Sequence, residues 1–315
     1  MNIIERAGRR LGPAKPQVEE RAPDTVARAV PAEDGQAPAG ANEAAPVREG
    51  EEAQRKLGAT RRRQTQRSIE IDLERLSRYG FTTPGDQSTV AEEIRLIKRP
   101  VLDAAFARPP ARVRNANLIM VTSAGPGEGK TFSTINLALS MATEHDVRVL
   151  LIDADVINPS IPAVLGFEAE RGMIDVVGDP SIDLADVMVR TNIDNLTLLS
   201  AGRFTPMSNE LMASARMARF IDDIAKRYND RIIIFDSPPV LARSEPTVLA
   251  RHVGQILLVV EAERTSRTSI NDALQLLDKN LVRIILNKAP ALLMREGFGQ
   301  YGYYYNRPRS GSEGN

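Results

Sequence analysis

No cysteine occurs anywhere in the 315 residues, and no tryptophan. The first absence excludes disulfides, thiolate metal sites and cysteine nucleophiles together. Histidine is nearly absent too: with only His145 and His252, the latter read as an ordinary helix or loop residue, acid–base chemistry is left to carboxylates. Long apolar runs are also missing. Stretches such as "VLLI", "IIIF" and "ILLVV" fall far below the roughly 20 residues of a membrane-spanning helix. "MNIIERAGRRLG" lacks the apolar segment of an export signal, so a cytoplasmic address is expected. Neither sign of charge is in excess: Lys+Arg and Asp+Glu balance at 41 each, which gives no overall basic field and predicts no nucleic-acid partner. What is present, 42% apolar and 26% charged residues, is the composition of a globular protein.

Aromatic residues are scarce and unevenly placed, with none before Tyr79. Residues 1–67 read as a short amphipathic N-terminus, with Ile3, Ile4 and Leu11 among arginines, followed by a linker from Pro13 to about Thr65 built from Ala, Pro, Glu, Gly and Arg. That composition buries too little apolar surface to offset its conformational entropy, so the linker is expected to be disordered. The amphipathic stretch suits a partner or a membrane surface.

Residues 68–110 read as helical. "SIEIDLERLSRYG" ends in a glycine placed to cap a helix. "STVAEEIRLIKRPVLDAAFA" carries Thr89 and Glu92 in capping-box spacing, an apolar stripe of Val90, Ile94, Ile97 and Val101, and a kink expected at Pro100. From 111 to 298 the pattern changes to "LIMVTS", "RVLLID", "LTLLS", "RIIIFD", "QILLVV" and "VRIILN" separated by helical stretches. Apolar runs alternating with helices predict an α/β fold with a doubly wound, mostly parallel sheet flanked by helices.

The strongest motif follows the first of those strands. "SAGPGEGKTFSTINLALSMA" has the order strand, Gly-rich loop, Gly-Lys-Thr, amphipathic helix, with Ala124 in place of the first glycine of G-x-x-x-x-G-K-[ST]. Glycines let the backbone wrap a phosphate with its N–H groups inward, and the new helix adds its positive end. Gly125, Gly127, Glu128, Gly129, Lys130, Thr131 and Phe132 are therefore the expected nucleotide cradle, making this a P-loop NTPase-type sheet. Lys130 is expected on the β/γ oxygens of ATP and Thr131 on Mg²⁺.

Two later strands end in acids at the carboxyl edge, where ligands collect in open α/β sheets. "RVLLIDADVINPS" puts Asp153 and Asp155 there, and "RIIIFDSPP" puts Asp236 there. Thr131, Asp155 and Asp236 are the expected holders of Mg²⁺, leaving Asp153 free to take a proton. The competing reading is that strand-end acids merely cap the following turns.

These residues resemble the Walker A, Walker A′ and Walker B motifs of the bacterial tyrosine kinases, and the resemblance runs from about Ile71 to the terminus. "TSAGPGEGKTFSTINLA", "ERLSRYGFTTP" and "VVEAERT" are most similar to the tyrosine autokinases of exopolysaccharide loci associated with exosortase and PEP-CTERM proteins. The resemblance implies that Lys130, Asp153 and Asp155 serve catalysis, with Asp153 the base for a tyrosine hydroxyl. It implies that Asn287, in "IILNK", reads the adenine, and that Glu92, Arg95 and Lys98 of "AEEIRLIKRP" form a self-association helix. One departure stands out: many members have Arg two positions after the second Walker A′ acid, where this chain has Ile157. A lost phosphate-binding cation predicts slow transfer.

By the same resemblance, residues 299–315 are a phosphoacceptor tail in which Tyr301, Tyr303, Tyr304 and Tyr305 are the substrates. Gly299, Gly302, Pro308 and Gly311 keep it extended and flexible. The chain between Asn287 and Tyr301 spans about 45–50 Å at full extension, so its own site or a neighbour's is in range, and an oligomer favours transfer in trans. Each phosphotyrosine adds roughly −1.5 to −2 charges, enough to loosen such an assembly. The family further implies a membrane-embedded polysaccharide co-polymerase or chain-length regulator as activator, recruitment to the inner face of the membrane, and an opposing protein-tyrosine phosphatase. Three other readings stay open: a Min- or Par-like ATPase switch, whose signature lysine would fall at Gly125, a catalytically weak regulatory subunit, and an aromatic tail that only packs on a partner.

Overall fold

The structure, a computed structural model, describes residues 67–107 and 113–290. The amphipathic N-terminus, the linker and the tyrosine cluster lie outside the described residues. The six strands read from sequence are β2 (Leu118–Ser123), β3 (Arg148–Asp153), β5 (Leu196–Leu199), β6 (Arg231–Asp236), β7 (Gln255–Glu261) and β8 (Val282–Asn287). Two short strands were not legible: β1 (Ser68–Ile69) and β4 (Val189–Thr191). The eight form one sheet in the order β1-β4-β5-β3-β6-β2-β7-β8. All neighbours are parallel except β4 and β5.

Each central strand is buried on both faces, and its side chains alternate between two cores. Leu118, Met120, Leu150, Ile152, Ile233, Phe235, Ile256 and Leu258 face one layer. That layer contains α5 (Met173–Gly178), α6 (Leu184–Val187), α7 (Ser208–Met212), α8 (Ala215–Arg227), α9 (Glu245–Ala250) and α10 (Arg267–Gln275). Helix α8 shows how the pairing arises: Met217, Phe220, Ile221 and Ile224 recur at helical spacing and are all buried, and the Ser214 hydroxyl caps the first turn. Ile119, Val121, Val149, Leu151, Ile232, Ile234, Leu257 and Val259 face the opposite core, against α1 (Leu73–Arg78), α2 (Thr89–Ala105), α3 (Lys130–Ala142) and α4 (Ile161–Leu165).

The segment before β2 is part of this second core, through Ile71, Leu76, Phe81, Val101 and Leu102. The backbone N–H and the hydroxyl of Thr82 both donate to Asn136 Oδ1, at 2.7 and 3.0 Å, tying the segment to α3. Several local expectations are corrected here. "SIEIDL" is not wholly helical: Ser68 and Ile69 pair with β4, and Asp72 caps a helix confined to Leu73–Arg78. Gly80 does follow the helix in the left-handed region, at φ +82°. The cap of α2 is Ser88, whose hydroxyl accepts the Ala91 N–H. That phase places Ala91, Ile94, Lys98, Val101, Leu102 and Ala105 inward and exposes Val90. Pro100 stands inside the helix, on its exposed side.

The turn leading into β2 is packed backbone to backbone. A Cβ on Gly254 would lie 2.5 Å from the Ala116 N, the Arg114 O and the Asn115 C. His252 has a modest structural part nearby, its carbonyl accepting from Asn115 Nδ2 at 2.8 Å. Backbone cannot yield as a flexible side chain does. Gly254→Ala is therefore expected to cost about 2 kcal/mol and lower Tm by roughly 4–8 °C. Thermal denaturation followed by circular dichroism measures this, and an unchanged Tm would refute it.

Candidate active site

Parallel strands β2, β3 and β6 end side by side, and their carboxyl ends bring together residues far apart in sequence. The loop after β2 turns through Gly127 (φ +82°) and Gly129 (φ +94°) before α3 begins at Lys130. Only glycine enters that backbone region without strain. A Cβ on Gly129 would also meet Asn287 Nδ2 at 2.0 Å.

Lys130 Nζ lies 3.3 Å from Asp155 Oδ2 and 4.0 Å from Asp236 Oδ1. Burial by itself lowers the pKa of this lysine, but Asp236, Asp155 and Asp153 outweigh it and hold the pKa above the ordinary lysine value. Thr131 donates its hydroxyl proton to Asp236 Oδ2 at 2.6 Å, and Thr134, one helical turn on, donates to Asp236 Oδ1 at 3.2 Å. Asp236 is wholly buried. Burial raises its pKa, while Lys130 and the Thr131 hydroxyl pull it back.

Asp153 is equally buried but differently engaged. Its Oδ2 accepts the N–H groups of Ser160 (2.9 Å) and Ile161 (3.0 Å), and its Oδ1 accepts the Asp155 N–H at 3.2 Å. It thus ties down the loop between β3 and α4. Burial and then the charge of Asp236 push its pKa up to about 8, against the opposing pull of those N–H groups and Lys130. Ile157 is half-buried against the first core, so position 157 supplies no cation.

The oxygens of Thr131, Asp155 and Asp236 are hard donors of the kind Mg²⁺ takes. Among the described residues no three His, Asp or Glu side chains close around one point. That arrangement fits Mg²⁺, which keeps waters and takes one or two carboxylates beside phosphates rather than a full protein cage.

Other expected site residues are placed differently. The Phe132 ring is turned from the phosphate loop and packs on Phe81, with centroids 5.0 Å apart, leaving only its backbone N–H for a phosphate. Glu128 directs its carboxylate back into the loop, accepting the Gly125 N–H at 3.0 Å and the Thr265 hydroxyl. The Asn287 amide donates to the Glu128 carbonyl at 2.9 Å. On α2, Lys98 faces inward, 2.6 Å from Glu144 Oε1 and 3.1 Å from the Ser140 carbonyl oxygen. Arg95 pairs with Glu92 and with the Asp86 carbonyl. Of the three, Glu92 is exposed and Arg95 half-exposed. Sequence reasoning missed Thr134, Ser160, Glu261, Thr265 and Lys288. Thr134 was findable, one helical turn beyond Thr131, whereas the others are joined to the loop only by the fold.

A Gly-rich turn feeding a helix that opens Lys-Thr, faced by acids from two neighbouring parallel strands, defines a P-loop NTPase site. The ParA family, described as NUBPL iron-transfer P-loop NTPase, matches residues 114–286. The solved BceF tyrosine kinase domain is 29% identical, covers 76% of this chain and 90% of its own, and superposes with a TM-score of 0.56. The kinase domain of the Escherichia coli tyrosine kinase Etk is 26% identical over 66% of this chain and 80% of its own, with a TM-score of 0.55. The tyrosine-protein kinase Wzc of Salmonella typhimurium is 30% identical over 62% of this chain. The chain belongs to the ParA-type P-loop NTPases and, within them, to the bacterial tyrosine kinase family. It spans about a quarter of the length of such curated relatives, 27% for Wzc and 25% for EpsB of Ralstonia nicotianae. Iron transfer through thiolates does not carry over, because the chain has no cysteine.

Proposed function

We propose that this protein is an ATP-dependent tyrosine autokinase that phosphorylates Tyr301, Tyr303, Tyr304 and Tyr305 of its own C-terminal segment, in trans within an oligomer. The observation that carries the proposal is the convergence of Lys130, Thr131, Asp155 and Asp236 at one sheet edge, in a chain related to named tyrosine kinases. Lys130 holds phosphate oxygens by charge. The backbone N–H groups of residues 127–131 orient them, and Thr131 with Asp155 and Asp236 holds Mg²⁺. When bound, that ion neutralises the β- and γ-oxygens of ATP.

Asp153 takes the hydroxyl proton of the incoming tyrosine. A pKa near 8 matches a base working close to neutral pH, and access to it requires the loop of residues 154–160 to give way. The described residues contain no helix long and apolar enough to cross a membrane. In this reading a membrane-embedded polysaccharide co-polymerase serves as activator and recruits the kinase to the inner face of the membrane. A phosphatase reverses the modification, and the cycle regulates exopolysaccharide polymerisation and export. A slow enzyme is the second reading, favoured by Ile157 at a position where a cation would assist phosphoryl transfer.

Intact-mass spectrometry after incubation with Mg-ATP tests this directly. Additions of phosphate are expected on the wild type and absent when all four tail tyrosines are phenylalanine. Undiminished incorporation in the four-phenylalanine variant, which keeps Tyr79 and Tyr228, would disprove the tail as substrate. Free phosphate without phosphotyrosine would favour an ATPase switch.

A further inference from the structure

The phosphate loop is gripped by residues at the ends of β7 and β8, among them Lys288 and Glu261, which no role described above requires. Lys288 follows β8 in the left-handed region, at φ +57°. Its Nζ donates to the Gly127 carbonyl at 2.6 Å and to Glu261 Oε2 at 2.8 Å. Glu261 ends β7, with a side chain only 11% exposed. Its N–H donates to Thr265 Oγ1 at 3.0 Å, and the Thr265 hydroxyl donates in turn to the Glu128 carboxylate. Asn287 completes the bracket: its amide takes the Glu128 carbonyl, and its Oδ1 accepts the Lys288 N–H at 2.9 Å.

This geometry bears directly on anion binding. A trans peptide is planar, with its C=O and the following N–H pointing in opposite directions. Fixing the Gly127 carbonyl outward therefore fixes the Glu128 N–H inward, and fixing the Glu128 carbonyl does the same for the Gly129 N–H. Both flanking glycines have positive φ, and glycine backbone is otherwise free to rotate these planes. A cradle whose donors must be reoriented at each binding event loses affinity to that ordering.

We propose that Lys288, ion-paired with Glu261, is a positioning residue for the nucleotide, holding the Gly127 carbonyl outward so that the Glu128 N–H faces the phosphates. The inference rests on ATP occupying this loop, as proposed above. It assigns the "NK" step a mechanical duty: Lys288 need not touch the nucleotide to control its binding.

The test is titration of the full chain with a fluorescent ADP in the presence of Mg²⁺, comparing wild type, Lys288→Met, Lys288→Arg and Glu261→Gln. Lys288→Met is expected to weaken binding about tenfold or more, the worth of one charge-assisted hydrogen bond. Lys288→Arg should recover most of that loss, and Glu261→Gln should weaken binding about threefold. Thermal melts without nucleotide provide the structural control. All variants should melt cooperatively close to the wild type, while the rise in Tm on adding Mg-ADP shrinks for Lys288→Met. Wild-type affinity in Lys288→Met overturns the bracing role. If that variant fails to melt cooperatively, Glu261→Gln decides by the same criterion, unchanged affinity again overturning it. A wild type that binds no nucleotide overturns the reading of the site itself, and the brace with it.

Discussion

Lys130→Met is expected to cut tail phosphorylation by about 10³-fold or more, the scale on which a cation at the transferring phosphoryl group acts. The effect is large because Lys130 is the cation paired with two acids in the site, Asp155 at 3.3 Å and Asp236 at 4.0 Å. Its side chain is 14% exposed, and theirs are 6% and 0%. In so enclosed a place charges interact more strongly than in water. Removing the ammonium takes away the group that would meet the phosphates and leaves the carboxylates facing an incoming polyanion. Intact mass and phosphotyrosine immunoblotting after Mg-ATP would show the loss. Retention of more than about a tenth of wild-type incorporation would rule out Lys130 as the phosphate-holding residue.

Asp153→Asn carries the second large effect, a fall in transfer rate of about 10² to 10⁴-fold, as for loss of a general base. Nucleotide affinity should stay within a few-fold, since the hydrogen bonds of Asp153 go to backbone N–H groups of the segment that follows it. Normal phosphorylation by the variant would disprove the base assignment. The same residue governs how stability varies with pH in nucleotide-free protein held in a chelator. Folding raises the Asp153 pKa from 3.8 to about 8, so the folded state keeps a proton that the unfolded chain has released. The stabilisation from that proton is fully present below about pH 4 and is lost as pH rises through about 8. Tm of the wild type should accordingly fall between pH 5 and pH 9, and the asparagine variant should fall less steeply. Equal slopes would mean that Asp153 does not hold its proton in the folded chain.

Much of the architecture was legible because it rests on local pattern. The six main strands announce themselves as β-branched runs, since a strand covered on both faces has no polar side to show. The phosphate loop was legible because positive φ at Gly127 and Gly129 favours glycine whatever surrounds it. Strands β1 and β4 were not. Two or three residues carry no periodicity; β1 exists because β4 lies beside it across more than a hundred residues, and β4 because it pairs with both β1 and β5. The start of α2 was misread by one position because Ser88 and Thr89 are chemically similar caps, and only the backbone decides which hydroxyl reaches the Ala91 N–H.

The site divides along the same line. Sequence alone determined a Gly-Lys-Thr loop opening a helix and acids closing two strands, because phosphate binding constrains residue type and local spacing together. Tertiary structure alone decided which partner each group meets. It turned Phe132 onto Phe81, sent Lys98 inward to Glu144, spent the oxygens of Asp153 on the loop that follows it, and brought Lys288 and Glu261 behind the phosphate loop. Those pairings depend on the order of strands across the sheet, and strand order is settled by the packing of two cores at once, which no single stretch of the chain encodes.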